Sequence, residues 1–282
     1  MKVLIAGNPT RGKQWEIYLR KRSSVTEVIV TPEFQDEAVD AIVLLNDSPS
    51  KLILLLNIIR QGYPVYLVSH LSTEVDTLQK IYHAAEESNV SVQFSHWASF
   101  STMTRWVNKN LGSAPRFIEF RKQERGRTIP TTDRFRQTWV DELAFITSLQ
   151  KSSVQHITAH AIKLKGQPIG VYFMLRFDNG AVASMHYTGV STTDYHERII
   201  QSENSVFICD ILNQKATRYT TSDDSKLLNA DHQSFDSSTT AENSLEYFIR
   251  SIKTHKPSGF SSSTALQTAR LANKIDDLLK RS

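Results

Sequence analysis

The chain opens on MKVLIAGNPTRGK, and this stretch limits the fold more than any other. Val3-Leu4-Ile5-Ala6 is a short apolar run with no charge after Lys2, the pattern of a strand buried on both faces of a parallel sheet. It runs into Gly7, then Asn8-Pro9-Thr10-Arg11 and Gly12. Trp15, Tyr18 and Leu19 follow at helical spacing. Strand, glycine turn and helix are the parts of a dinucleotide-binding crossover, in which the helix N-terminus holds a pyrophosphate. The glycine fingerprint is incomplete. Its middle glycine, which lets backbone approach the pyrophosphate, is Pro9 here, with a ring, a fixed φ and no N–H. Gly7 and Gly12 keep the tight turn and the helix–strand packing. The stretch is therefore either a nucleotide site or an ordinary strand-to-helix turn.

At 282 residues there is room for one large domain or two ordinary ones. A hydrophobic share of 40% with 22% charged residues is that of a water-soluble globular chain. The net charge of +4 is not gathered into a basic stripe. Arg20-Lys21-Arg22 ends a predicted helix, where cations suit the dipole, so no nucleic-acid partner is expected. The single cysteine, Cys209, lies in an apolar run and permits no internal disulfide, which with the absence of a signal-peptide pattern points to the cytoplasm. The longest apolar stretch, Leu52–Ile59, is too short to cross a bilayer.

Along the first part, strands and helices alternate. Strands are expected at 27–31, 40–45, 64–68 and 90–94, with helices at 50–61, 72–88 and 101–111. The second strand ends on Thr31, where many dinucleotide folds place a ribose-binding carboxylate. Only 32–39 separates it from the next strand, so one strand–helix repeat is trimmed. Near Gly112–Pro115 the pattern changes to longer, alternating strands at 157–164, 170–177, 181–190, 197–201, 206–211 and 216–219. Asp178-Asn179-Gly180 forms a hairpin turn among them. The segment 220–239 carries no clear element, and helices at 241–254 and 263–280 close the chain, the last with Ser261–Ser263 as N-cap. The expected fold is α/β: a shortened parallel-sheet domain over 1–112, then an α/β domain over 113–282 with a largely antiparallel open sheet.

This order of elements resembles the Gfo/Idh/MocA oxidoreductase family, which joins a Rossmann domain to a C-terminal domain built on an open antiparallel sheet. The residues that carry the resemblance run along nearly the whole chain. Residues 40–47, AIVLLND preceded by Asp40, look like the family strand that ends in Thr-Pro. Residues 62–71, GYPVYLVSHL, look like its Gly-Lys-His-Val-x-x-Glu-Lys-Pro-Leu segment. Residues 95–100, SHWASF, look like its Gly-His-x-x-Arg-Phe, and 177–181, FDNGA, match its Phe-x-Asn-Gly-Ala hairpin. The resemblance implies NAD or NADP as cofactor, held around Gly7, Pro9, Thr10, Arg11, Gly12, Thr31 and Asn46. It also implies a homo-oligomer, a dimer formed through the C-terminal sheet, and a small-molecule ligand between the domains. On the same alignment the proton-donating lysine becomes Ser69, and the catalytic histidine becomes Asp141, in Gln137-Thr138-Trp139-Val140-Asp141.

Candidate site residues follow. His70 and His96 fall at the carboxyl ends of parallel strands, where open α/β sheets bind ligands. Each is either a general acid or base or a helix-capping residue. Asp141 and Glu142 either face the cleft or are first-turn helix carboxylates. Arg134 and Arg136, in a polar loop, and Gln137 are substrate-binding candidates for an anionic ligand. Lys122 and Tyr187 are weaker ones. His186 and His196 have no ligand spacing with other residues, so no metal is expected. Two functions remain. One is a divergent protein with impaired or lost cofactor binding, NADP, NAD or none, and no standard hydride transfer, serving as a binding or scaffold protein. The other is an NAD(P)-dependent oxidoreductase acting on a small carbonyl or imine, with Arg11 and Lys13 favouring NADPH and His70 or His96 as proton donor.

Overall fold

The computed structural model describes residues 1–126, 130–221 and 228–281. The chain forms β1 (Lys2–Gly7), α1 (Pro9–Arg20), β2 (Glu27–Thr31), β3 (Ala41–Leu45), α2 (Lys51–Arg60), β4 (Val65–Val68), α3 (Val75–Glu87), β5 (Val92–Phe94), α4 (Trp97–Phe100) and α5 (Thr102–Asn110). Then come β6 (Phe117–Arg125), α6 (Thr132–Leu149), β7 (Val154–Leu164), β8 (Gln167–Phe177), β9 (Val182–Ser191), β10 (Tyr195–Gln201), β11 (Val206–Asp210), β12 (Lys215–Thr221), β13 (Leu228–Ser234), α7 (Thr240–Thr254) and α8 (Ser262–Arg281).

The first sheet has the order β2-β1-β3-β4-β5, with every printed pairing parallel. β1 and β3 are wholly apolar inside, from Val3 to Ala6 and Ala41 to Leu45, because helices cover both faces. No helix lies between β2 and β3, as the short spacing predicts. Strand order reverses between β1 and β3, which makes their carboxyl ends the crevice where such sheets take ligands. The second sheet has the order β13-β12-β11-β10-β6-β9-β8-β7 and is antiparallel except where β6 runs beside β9. Thus an α/β fold with a parallel sheet followed by a largely antiparallel one is what the chain adopts.

Sheet type changes after α5, close to Gly112, but contacts divide the chain differently. One compact unit is Met1–Phe100 with Ser238–Arg270; the other is Ser101–Ser237 with Leu271–Ser282. Helix α7 returns to the first unit, and its Leu245, Phe248 and Ile249 join Val3, Ile5, Trp15 and Tyr66 in one apolar cluster.

Two expectations are corrected. Arg134 and Arg136 stand in α6, not in a loop. The Thr131 hydroxyl caps that helix at the Arg134 amide, and Asp133 sits in its first turn, so polar residues that suggested a loop are a helix start. The segment 220–239 contains β13, paired in register with β12 from Lys215–Ser234 to Thr221–Leu228; residues 222–227 of that segment lie outside the described residues.

Candidate functional site

The carboxyl ends of β1, β2 and β3 surround a cavity of about 500 Å³, lined by Asn8, Arg11, Glu33, Phe34, Asn46 and Asp47 among others. Gly7 closes the turn after β1 with φ +134°, and a Cβ there would overlap the Leu45 carbonyl. A Cβ at Gly12 would come within 2.7 Å of Val30 Cγ1, so this glycine lets α1 lie on the sheet. Both glycines therefore serve packing.

The amides in the first turn of α1 are engaged by its own residues. Pro9 at the first helical position has no N–H. The Asn8 carboxamide oxygen accepts from the Thr10 amide at 3.0 Å and the Arg11 amide at 3.1 Å. The Gly12 amide donates to the Asn8 carbonyl at 2.8 Å. The Thr10, Arg11 and Gly12 amides are thus each satisfied within the turn. Arg11 donates to Asp47 at 2.7 Å, so its charge is matched as well. Glu33 puts a second carboxylate on the cavity wall. Thr31, the expected ribose contact, is buried and donates its hydroxyl to the Glu33 carbonyl at 2.7 Å. Asn46 spends its carboxamide oxygen on the Ser48 amide at 2.8 Å, opening the turn before α2.

Beside this cavity a polar chain links β3, β4 and α2. Lys51 in the first turn of α2 donates Nζ to Ser69 Oγ at 2.7 Å and to the His70 carbonyl at 3.1 Å. Burial pushes the Lys51 ammonium below the ordinary lysine range, against the opposing charges of Asp47 and Glu74. Burial would raise Asp47, but hydrogen bonds from Arg11 and Ser69 and the Arg11 charge hold it below the usual carboxylate range. Sequence reasoning missed Lys51 because it is 18 residues from Ser69. Its one signal was a cation in a helix's first turn, where the dipole disfavours it.

The remaining candidates sit as follows. His70 is exposed at the end of β4 and lends its carbonyl to Lys51. His96 is buried, with Nδ1 2.7 Å from Ser99 Oγ and its ring 4.8 Å from the Phe260 ring, the geometry of a helix-capping core histidine. In the second unit, Gln137 donates to Asp141 at 2.7 Å along α6. Arg136 holds Asp276 of α8 at 2.6 Å, and Arg134 is exposed at 3.5 Å from Glu124. Lys122 and Tyr187 also converge on Glu124, at 3.5 and 3.2 Å. Burial and then the Glu124 charge push the Tyr187 phenol up to about 12.

Asp141 and Glu142 lie mid-helix, contrary to the expected first turn. Glu142 is fully enclosed: Arg198 grips it through Nε at 2.9 Å and Nη2 at 3.0 Å, and His196 Nε2 lies 3.0 Å away. Arg198 is sandwiched by Phe120 and Phe145, at 5.3 and 4.1 Å from the ring centres. Burial alone would raise the Glu142 carboxyl, but Arg198 and His196 hold it well below the usual range. No cluster of metal-ligating side chains occurs among the described residues. None of their helices is long and apolar enough to cross a membrane.

No protein-family model matches this sequence, and no curated relative does. Solved structures match along nearly the whole chain. UDP-N-acetylglucosamine 3-dehydrogenase GnnA from Acidithiobacillus ferrooxidans superposes with a TM-score of 0.79 at 12% identity, over 100% of this chain and 98% of that one. A dehydrogenase from Chromobacterium violaceum gives 0.79 at 12%, over 100% and 96%. An NAD binding oxidoreductase from Klebsiella pneumoniae gives 0.81 at 10%, over 99% and 96%. Identities this low establish a shared fold: the chain has the two-sheet architecture of these dehydrogenases.

Proposed function

We propose that this chain is a divergent Gfo/Idh/MocA-like ligand-binding protein that binds nicotinamide dinucleotides weakly or not at all and does not perform standard hydride transfer. The observation that carries this is the occupied first turn of α1. A pyrophosphate must displace the Asn8 carboxamide from two amides and still finds no donor at Pro9. Asp47 and Glu33 add negative charge to the same wall, while Arg11 is already matched. An uncharged or cationic small molecule suits the cavity better than a dinucleotide. Titration calorimetry with NADH and NADPH tests it: the unmodified protein is expected to give no saturable heat into the millimolar range. An Asn8→Ala/Pro9→Gly double variant is expected to gain binding. Micromolar binding by the unmodified protein would overturn the proposal.

Lys51 favours a second reading, an oxidoreductase that reduces a small carbonyl or imine. A cofactor brings the hydride, and the protein must supply a proton. The Lys51 ammonium, bound to Ser69, stands where His70 was expected to serve, and a positioned general acid contributes roughly 10²–10⁴-fold. Arg11 is engaged by Asp47, so only Lys13 is left to favour NADPH. Hydride transfer from NADPH or NADH to any small carbonyl, lost in Lys51→Met, would establish this reading over the first.

We also propose a cytoplasmic homodimer formed on the outward face of the second sheet. Tyr172 and Ile162 stand 40% and 42% exposed on that face, with His160 and His186 flanking Tyr172 across the strands.

A further inference from the structure

We propose that Lys51 is a covalent anchor for a small aldehyde, which its amine holds as a reversible imine at the carboxyl end of the first sheet. This rests on the reading of that crevice as a small-molecule site, and it names the reactive group of the ligand.

Lys51 stands in the first turn of α2 with its Nζ held from two sides, by Ser69 Oγ at 2.7 Å and the His70 carbonyl at 3.1 Å. Ser69 is itself fixed: its amide donates to Ser95 Oγ at 3.0 Å, and the Ser95 hydroxyl donates back to the Ser69 carbonyl at 2.7 Å. A lysine is ordinarily a mobile side chain, and pinning it to a strand end removes entropy that a bimolecular attack would cost. The side chain is half-buried, and its bond to His70 lies on the exposed side, within reach of a ligand. Asp47 joins this polar chain to the cavity of about 500 Å³: it lines that cavity and accepts a hydrogen bond from Ser69. Leu54, one turn along α2 from Lys51, lines the same cavity.

Imine formation needs a free amine, a route for protons and a counter-charge for the product, and the cluster supplies all three. Burial lowers the Lys51 ammonium, which raises the share of free amine near neutral pH. The amine adds to the carbonyl carbon, the carbinolamine loses its hydroxyl as water, and C=N replaces C=O with no change of oxidation state. Ser69, bonded to both Lys51 and Asp47, passes the amine proton to the departing hydroxyl. Asp47 and Glu74, whose charges favour the ammonium, favour the protonated imine in the same place. This chemistry uses no nicotinamide, so it is compatible with the loss of dinucleotide binding.

Labelling with glycolaldehyde, followed by cyanoborohydride reduction and peptide mapping, tests the anchor. Positioned proton transfer contributes roughly 10²–10⁴-fold, so Lys51 is expected to be labelled at least ~10-fold faster than the exposed lysines. Lys151, whose ammonium burial also lowers, is the control for burial alone and is expected to label slowly. Ser69→Ala is expected to slow labelling at Lys51 by a similar factor and to leave the other lysines unchanged. Lys51→Arg is expected to remove the fast phase. Labelling of Lys51 at the rate of the exposed lysines, equal labelling of Lys151, or full speed in Ser69→Ala would overturn the proposal. Protection of a fast-labelled Lys51 by NADH would instead overturn the dinucleotide reading and uphold the anchor.

Discussion

Lys51 Nζ lies 2.7 Å from Ser69 Oγ, joining the first turn of α2 to the carboxyl end of β4. A flexible ammonium is thereby fixed at a sheet end, and burial lowers its affinity for a proton. Lys51 should therefore titrate below the ordinary lysine range, as should Lys151, which burial also lowers. Reductive ¹³C-methylation followed by NMR across pH 7–12 would resolve its dimethylamine signal. A Lys51 midpoint among those of exposed lysines would show the burial to be ineffective.

The closed turn of α1 predicts a stability effect as well as a binding one. Removing the Asn8 cap in Asn8→Ala frees two amides, and loss of an N-cap costs ~1 kcal/mol. Thermal unfolding of that variant should show the loss, and added pyrophosphate should restore part of it by occupying the freed donors. Equal stability of the variant and the unmodified protein would contradict the capping role.

Gly7→Ala should be strongly destabilising. The residue has φ +134°, and a Cβ would meet backbone at Leu45 rather than a movable side chain. A strained backbone position costs ~1–3 kcal/mol, before the overlap is counted. Urea unfolding should place the midpoint well below that of the unmodified protein, and below that of Gly166→Ala, which shares a positive φ of +78° but has nothing within 4 Å of an added Cβ, so the difference between the two reads the overlap.

Glu142 and Arg198 make stability depend on acid pH. Glu142 is held well below its ordinary value of 4.5, so its contribution is present above that value and is lost as pH falls through the folded-state value. Stability should decline from about pH 5 downward. Glu142→Gln leaves Arg198 buried without a counter-charge, which costs about 3–5 kcal/mol. It should also flatten the acid limb of a stability-against-pH curve. An unchanged acid limb would remove Glu142 as its cause.

The proposed dimer predicts twice the 32.0 kDa chain mass in light scattering at micromolar concentration. Tyr172→Asp, on the outward face of β8, should give the single-chain mass. A monomeric unmodified protein would rule the interface out.

What was legible in the sequence divides along physical lines. The parallel sheet was readable because Val3–Ala6 and Ala41–Leu45 are apolar on both faces, a pattern set by burial. Strand β13 was not readable: every residue from Leu228 to Ser234 is exposed, and backbone pairing to β12 holds it, with one side-chain bond between Thr217 and His232 at 2.9 Å. Helix α6 was obscured by Arg134 and Arg136, whose charges are answered outside the helix, by Glu124 of β6 and by Asp276 of α8, 140 residues on. At the candidate site, Gly7, Arg11 and Asn46 line the cavity at the carboxyl ends of β1 and β3. What they bond to was invisible, because Asn8 could equally have pointed to solvent and Lys51 reaches Ser69 only once α2 is docked.

The return of α7 to the first unit has a consequence for synthesis. Leu245, Phe248 and Ile249 complete the apolar cluster begun by Val3 and Ile5, yet leave the ribosome more than a hundred residues after Phe100. At ~5–20 residues per second the interval is on the order of ten seconds. Throughout it Trp15 and Tyr66 lack their final cover, so nascent chains halted before α7 should need holding by a chaperone. A ribosome-bound chain stopped at residue 237 should be protease-sensitive in β1 and β4, and extension past residue 252 should protect them.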